Sequence, residues 1–197
     1  SLNKAKDLRI KIQEYQGETY APAELKDLDG KVSNAESAMN RKDYANSVPQ
    51  AKQAVEVARE LKEKVRVKHS TTLRDRAKLD MQVVLANDGA KLNATIYNDI
   101  STKLQNAEAR FAESKHDEVI ALSNDIRRLT EELLEPLRQR SEQGSREVES
   151  RMDDMRRELV PSYAGAYMTD VERLLGEIKK LIAEDRKYKD ALAQIDL

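Results

Sequence analysis

A self-repeat constrains this chain more than any other feature. Lys31-Val32-Ser33-Asn34-Ala35-Glu36 recurs as Lys103-Leu104-Gln105-Asn106-Ala107-Glu108, 72 residues further on. The apolar positions Leu25, Leu28, Val32, Ala35, Met39 and Val48 map onto Tyr97, Ile100, Leu104, Ala107, Phe111 and Ile120 at that offset. They map onto Met168, Val171, Leu175, Ile178, Ile182 and Ala191 at an offset of 143. Polar positions between them drift. Copies that keep only their apolar positions are diverged versions of one packed unit, since packing is what the unit has to preserve. The first five positions of each copy are spaced 3, 4, 3 and 4 apart, which lines one face of a helix.

Local signals place the helices. Pro22 suits a first helical position, where its missing N–H is no loss. Asn93, at the place matching Ala21, suits an N-cap, and so does Asp43. After Asp43 a second seam reads Tyr44, Val48, Ala51, Val55, Ala58, Leu61 or Lys62, and Val65. In the next copy it reads Val119, Leu122, Ile126, Leu129, Leu133 and Leu137. Pro49 implies either a start near Ser47, with Ser47 and Gln50 as a capping box, or bent first turns; Pro136 implies a kink. Weak helix formers follow at Ser70-Thr71-Thr72 and between Ser141 and Ser145. Each precedes a third periodic segment, Leu73, Ala77, Met81, Val84 in one case and Val148, Met152, Met155, Leu159 in the other. Gly17 and Gly89 are expected to close helices as left-handed C-terminal caps.

Helices are therefore expected at about 2–16, 22–40, 43–69, 73–88, 92–113, 115–140, 145–159, 164–185 and 188–197. The expected fold is all-α: tandem three-helix bundles over 1–70, 71–142 and 143–197, the last helix truncated, joined as a spectrin-like rod. A solenoid of helical hairpins is the alternative. Continuous helix at 70–72 and 141–145 makes a rod; turns there make a solenoid.

Composition narrows the function. Of the 197 residues 36% are charged, yet the net charge is only −1, which argues against nucleic acid as a partner. There is no Cys, which removes disulfides, thiolate metal sites and a Cys nucleophile. No apolar run nears the roughly 20 residues of a transmembrane helix. No signal peptide is evident and the first residue is Ser, the expectation for an excised or processed segment.

Chemistry-bearing motifs are sparse. His69 and His116 lack a second His at ligand spacing and read as polar residues at helix ends. Carboxylates such as Glu131-Glu132 and Asp153-Asp154 lie among Arg residues, and no Glu-x-x-His pair, Gly-rich phosphate loop or Gly-x-Ser-x-Gly occurs. No catalytic residue, cofactor or metal is assigned. One basic stretch, Lys62, Lys64, Arg66, Lys68, Arg74, Arg76 and Lys78, is a candidate patch for an anionic cell-wall polymer, a lipid surface or an acidic partner. The plainer reading is a solvated helix face, and the matching region of the second copy is mixed in sign. Tyr15, Tyr20, Tyr44, Tyr163, Tyr167 and Tyr188 fall at unit junctions, where rings pack and hydroxyls stay wet.

Tyr20-Ala21-Pro22-Ala23-Glu24-Leu25, Ala35-Glu36-Ser37-Ala38, Lys42-Asp43-Tyr44-Ala45 and then Ala51, Ala54 and Ala58 resemble a helical domain of unknown function. That domain occurs in bacterial envelope lipoproteins and periplasmic proteins, including those of spirochaetes. The likeness covers about 40 residues. The Asp-Tyr-x-x-Ala start is also similar to one helix of a tetratricopeptide repeat, but the 72-residue period and the missing Gly and Pro positions speak against that family. The resemblance implies a cell-envelope setting and a non-catalytic role, and supplies no functional residues. The expected function is a structural spacer or scaffold segment of a larger envelope protein with protein partners. The alternatives are a solenoid that binds a peptide or protein, and a surface protein that binds a ligand.

Overall fold

A computed structural model of the chain describes residues 1–158 and 161–196, with side chains described except at 158 and 161–167. It is all-α. Among the described residues the helices are α1 (Leu2–Glu14), α2 (Gly17–Tyr20), α3 (Pro22–Asn40), α4 (Tyr44–Ala86), α5 (Gly89–Leu92), α6 (Ala94–Ala112), α7 (His116–Glu158), α8 (Pro161–Ala183) and α9 (Tyr188–Ile195). None is long and apolar enough to cross a membrane. Leu159, and the side chains of Tyr163 and Tyr167, lie outside the described residues.

The bounds recur at the offset of the sequence copies. Helices α2, α3 and α4 begin at 17, 22 and 44; α5, α6 and α7 begin at 89, 94 and 116, each 72 residues later. The left-handed residues recur as well: Gln16 with Asp88, and Lys42 with Ser114 and then Arg186. Lys42 and Ser114 close their helices in the same way. The N–H of Lys42 donates to Met39 O and that of Asp43 to Ala38 O; Ser114 donates to Phe111 O and Lys115 to Arg110 O. This is the two-bond Schellman closure, built without glycine.

The joins at 70–72 and 141–145, open between helix and turn in the sequence, are continuous helix: 43–69 and 73–88 form one, α4, of 43 residues, and 115–140 and 145–158 form another, α7. The Ser and Thr hydroxyls at the joins are satisfied within the helix: Thr71 Oγ1 donates to Val67 O at 2.8 Å, Thr72 Oγ1 to Lys68 O at 3.0 Å and Ser141 Oγ to Arg138 O at 2.9 Å. Several expectations need correction. The one-turn helices α2 and α5 were not legible as separate elements. Gly17 and Gly89 are not left-handed; Gln16 and Asp88 before them are. Glycine is required there by space. A Cβ on Gly17 would sit 2.4 Å from Ile12 Cγ2 and 2.9 Å from the Ile12 carbonyl, and one on Gly89 would sit 2.4 Å from Val84 Cγ1. Helix α4 starts at Tyr44, capped by Asp43 Oδ1, which accepts from the Asn46 N–H at 3.3 Å. The capping box at Ser47 is therefore not formed, and Pro49 and Pro136 both lie inside their helices on exposed positions. Pro22 at the first position of α3 and Asn93 as the cap of α6, accepting from Thr95 and Ile96 at 3.1 Å, match the sequence reading.

The chain divides into two compact units, residues 1–75 with 107–122, and 76–106 with 123–197. The first unit buries Ile12, Leu25, Leu28, Ala54, Ala58, Leu61 and Val65 in one cluster. Leu25, Leu28 and Val32 come from the α3 seam; Val55, Ala58, Leu61 and Val65 come from the α4 seam, in the spacing read from sequence. The second unit buries Ala77, Val84, Ile100, Ile126, Leu129, Leu133, Leu134 and Tyr188. Both cores are mainly aliphatic, with Tyr188 in the second, and in cores packed like these a single extra methyl is felt. One part of the expected seam is not buried: Met39, Tyr44 and Val48 are 52%, 60% and 48% exposed.

Candidate functional site

Two groups of buried polar side chains stand out, one around the start of α7 in the first unit and one around the start of α9 in the second; Ser47, Ser123, Thr130, Ser141 and Ser145 are buried elsewhere. Helix α7 opens on His116 directly after the Schellman turn, and this places the imidazole inward, 8% exposed. Its Nδ1 lies 2.9 Å from Ser70 Oγ, a fully buried hydroxyl on α4. Ser70 Oγ also lies 2.9 Å from Val67 O, a carbonyl that can only accept. The one Ser70 proton goes there, which leaves its lone pair for an Nδ1–H of His116. Phe111 stands edge-on to His116 with centroids 5.5 Å apart, and the Arg74 guanidinium covers Phe111 at 4.0 Å. Asp117 accepts from Tyr15 Oη at 2.7 Å and lies 3.4 Å from Arg66 Nη1, while Arg66 Nη2 donates to Glu63 at 2.6 Å.

His69, one position before Ser70, is buried against Tyr20 and Tyr15 at centroid distances of 5.8 and 6.5 Å, and its Nδ1 has no hydrogen-bond partner among the described residues. Burial holds the His69 imidazole below its usual range. Burial does the same to His116, aided by the Arg66 charge and opposed by Glu63 and Asp117. Tyr15 is pushed up to about 12, by burial first and then by its bond to the Asp117 carboxylate. Both histidines are thus held neutral. The reading as a polar residue at a helix end holds for His116 and not for His69. His69 lies in mid-helix because the two expected helices are one, and His116, although at a helix end, is turned into the packing. The Ser70–His116 pair has the hydrogen bond of a nucleophile and a base. However, Ser70 is fully buried, and Asp117 bonds to Tyr15 and Arg66 rather than to the imidazole. A solute could reach the hydroxyl only if the helices parted.

The second unit fills the equivalent place differently. Asn87, 1% exposed, donates from Nδ2 to Val83 O at 2.9 Å and to Arg186 O at 2.8 Å, and its Oδ1 accepts from the Lys189 N–H at 3.1 Å. It thereby satisfies the turn that starts α9. Arg186, left-handed in that turn, donates from Nη1 to Asp80 Oδ1 at 2.8 Å; Asp80 is 1% exposed, with Arg76 at 3.8 Å as a second cation. Asp88 lies between Lys189 and Lys91 at 2.9 and 3.1 Å, and these two hydrogen bonds hold its carboxyl below the usual range. Tyr188 is buried where His116 stands in the first unit.

The basic stretch is largely paired. In the first unit Lys62 lies 3.5 Å from Glu63, Lys64 pairs with Glu24, Arg66 with Glu63 and Asp117, Lys68 donates to Tyr20 O at 3.2 Å, and Arg74 pairs with Asp75 at 2.7 Å. In the second unit Arg76 faces Asp80, and Lys78 is exposed. Of the junction tyrosines, Tyr188 is buried and Tyr15 and Tyr20 are half-buried, whereas Tyr44 departs from the packed expectation. Sequence reasoning missed Asp80 and Asn87. A signal for Asp80 existed: it stands three residues after Ala77 and four before Val84, on the apolar seam. His69 likewise stands four after Val65 and four before Leu73. Among the described residues no group of three or more His, Asp or Glu is placed to hold a metal ion.

No family model, no curated protein and no solved structure matches this chain.

Proposed function

We propose that this chain is a non-catalytic spacer or scaffold segment of a larger bacterial envelope or periplasmic protein, mediating protein–protein or cell-wall organisation. The observation that carries the reading is that α4 and α7 run unbroken through 70–72 and 141–145. A helix of 43 residues is about 65 Å long at ~1.5 Å per residue. Turns at those positions are what a hairpin solenoid needs, so the helices favour the tandem-bundle arrangement over that alternative. The buried Asn87 and the Asp80–Arg186 pair add support, because they are tied to the turn that starts α9. The neutralised basic stretch fits a solvated face better than a patch for an anionic polymer. The envelope setting rests on the sequence resemblance alone.

Small-angle X-ray scattering tests the reading. A compact globule of this length has a radius of gyration of roughly 16 Å. A spacer is expected at roughly 30 Å or more, and a value near 16 Å would overturn it. Fractionation of the native cells tests the setting, which recovery in the cytosol would refute.

A further inference from the structure

The apolar face formed by Met39, Tyr44 and Val48 is uncovered, whereas the residues 72 positions on are covered. Phe111 and Ile120 are half-buried and His116 is 8% exposed, against 52%, 60% and 48% for Met39, Tyr44 and Val48. The cover over 111–120 comes chiefly from one stretch of α4: Arg66 reaches Asp117, Ser70 meets His116, and Arg74 lies over Phe111, with Tyr15 at the end of α1 also bonded to Asp117. In the second unit Tyr188, a further 72 positions on, is 5% exposed. It lies beside Leu134, Glu135 and Arg138 of α7, and Ile195 packs within 3.0 Å of where a Cβ on Gly144 would be. In both cases the cover comes from the middle of an unbroken helix, whose last stretch, 74–86 in α4 and 146–158 in α7, matches α1 at 2–14.

The register says where the same cover would lie at the third face. Position 74 corresponds to Leu2, and Leu2 does lie beside Met39, as Arg74 lies over Phe111. Ser1, Leu2 and Asn3 form one wall of a groove of about 270 Å³, and Ala35, Met39, Tyr44, Ser47, Val48 and Ala51 form the other. In that register the counterparts of Ser70 and Arg66 would fall three and seven residues before position 1, in line with the axis of α1.

We propose that the Met39–Tyr44–Val48 face is a docking surface for an amphipathic helix that runs in line with α1 and ends at its first turn. This helix carries small or hydroxyl side chains against the Tyr44 ring and cations at the rim. It completes the first unit in the way that residues 62–74 complete the face at 111–120. The contacts compared all lie within one unit or the other and are independent of the spacer reading.

The absence of native cysteine makes the test direct. Val48→Cys places a single thiol on the face, with circular dichroism as the check that the fold is kept. Its rate of reaction with a soluble aromatic disulfide is measured in three proteins: the present chain, a chain in which a copy of residues 58–73 replaces Ser1, and a chain in which a Gly-Ser segment of equal length replaces it. The copied segment preserves the 72-residue register. The expected result is a fall of tenfold or more in thiol reactivity with the helical segment and none with the Gly-Ser segment. A rise in melting temperature of roughly 5 °C should accompany it. Equal reactivity in all three would overturn the proposal. So would a thiol already protected in the present chain in a concentration-dependent way, which would make a second copy the occupant.

Discussion

The corners at 113–117 and 185–189 turn at matching places but differ in their closing hydrogen bonds, Lys115 N–H to Arg110 O in one and Lys187 N–H to Leu181 O in the other, and in almost every side chain. Both pass through a left-handed residue, Ser114 in one and Arg186 in the other, and both start a helix whose first residue is buried. The first corner buries an imidazole against a serine hydroxyl and an aromatic edge. The second buries a tyrosine and anchors its turn with an amide and a carboxylate–guanidinium pair. What a repeat preserves here is the hydrogen-bond demand of the turn and the volume to be filled. Any chemistry that satisfies both will serve. The first corner buries neutral groups, with Asp117, Arg66 and Glu63 paired nearer the surface, and the second buries an ion pair, so their responses to mutation and pH should diverge.

The largest divergence should come from the ion pair. Arg186→Gln leaves Asp80 buried with only Arg76 at 3.8 Å, and should cost about 3 kcal/mol in urea unfolding. Adding Asp80→Asn to that variant should recover most of the loss, because the buried charge is gone. A double variant no better than the single one would show that the pair matters through shape and not charge. Next, Asn87→Ala strands the Arg186 carbonyl and the Lys189 N–H, at about 2 kcal/mol. Its positional counterpart, Tyr15→Phe, removes one exposed-side hydrogen bond to Asp117 and should cost under about 1 kcal/mol. Equal losses would end the contrast between the corners.

Gly89→Ala should cost about 1–2 kcal/mol by thermal melting, since the new methyl meets Val84 Cγ1, the Val84 carbonyl at 3.0 Å and Leu133 Cδ2 at 3.2 Å. An unchanged melting temperature would mean that α5 moves freely.

The pH response should belong to the first unit. His69 and His116 both titrate below the ordinary imidazole range when folded, whereas an unfolded imidazole takes up its proton near pH 6.5. Below about pH 6.5 the unfolded state binds more protons, so stability is full above that pH and falls as pH drops toward the depressed folded values. The groups facing His116 are Arg66, Glu63 and Asp117; those against His69 are the two tyrosines. His116→Asn, which keeps an amide for Ser70, should flatten part of the acid slope of the urea midpoint, and adding His69→Asn should flatten the rest. A slope indifferent to both would place acid sensitivity elsewhere. The lowering of the Asp88 carboxyl acts only in the carboxylate range, well below this window.

Much of the helical framework was legible in the chain itself. The 72-residue period and the 3–4 spacing identified the α3 and α4 seams, and Pro22, Asp43 and Asn93 marked helix starts through local backbone hydrogen bonding. These signals act over one or two turns, so sequence alone determines them. Three things were decided only by tertiary packing. Ser70-Thr71-Thr72 could have been a turn; the helix continues there with Ser70 buried against His116 of α7. Gly17 and Gly89 looked like conformational glycines and are glycines of contact, a distinction set by a neighbouring turn. His69, Asp80 and Asn87 were polar letters in an apolar stripe or beside a turn, and their pairing with residues up to 106 positions away depends on which helices meet. Periodicity tells a helix which face to bury; it does not say what that face will touch, because contact partners are chosen by the packing of helices far apart in the chain.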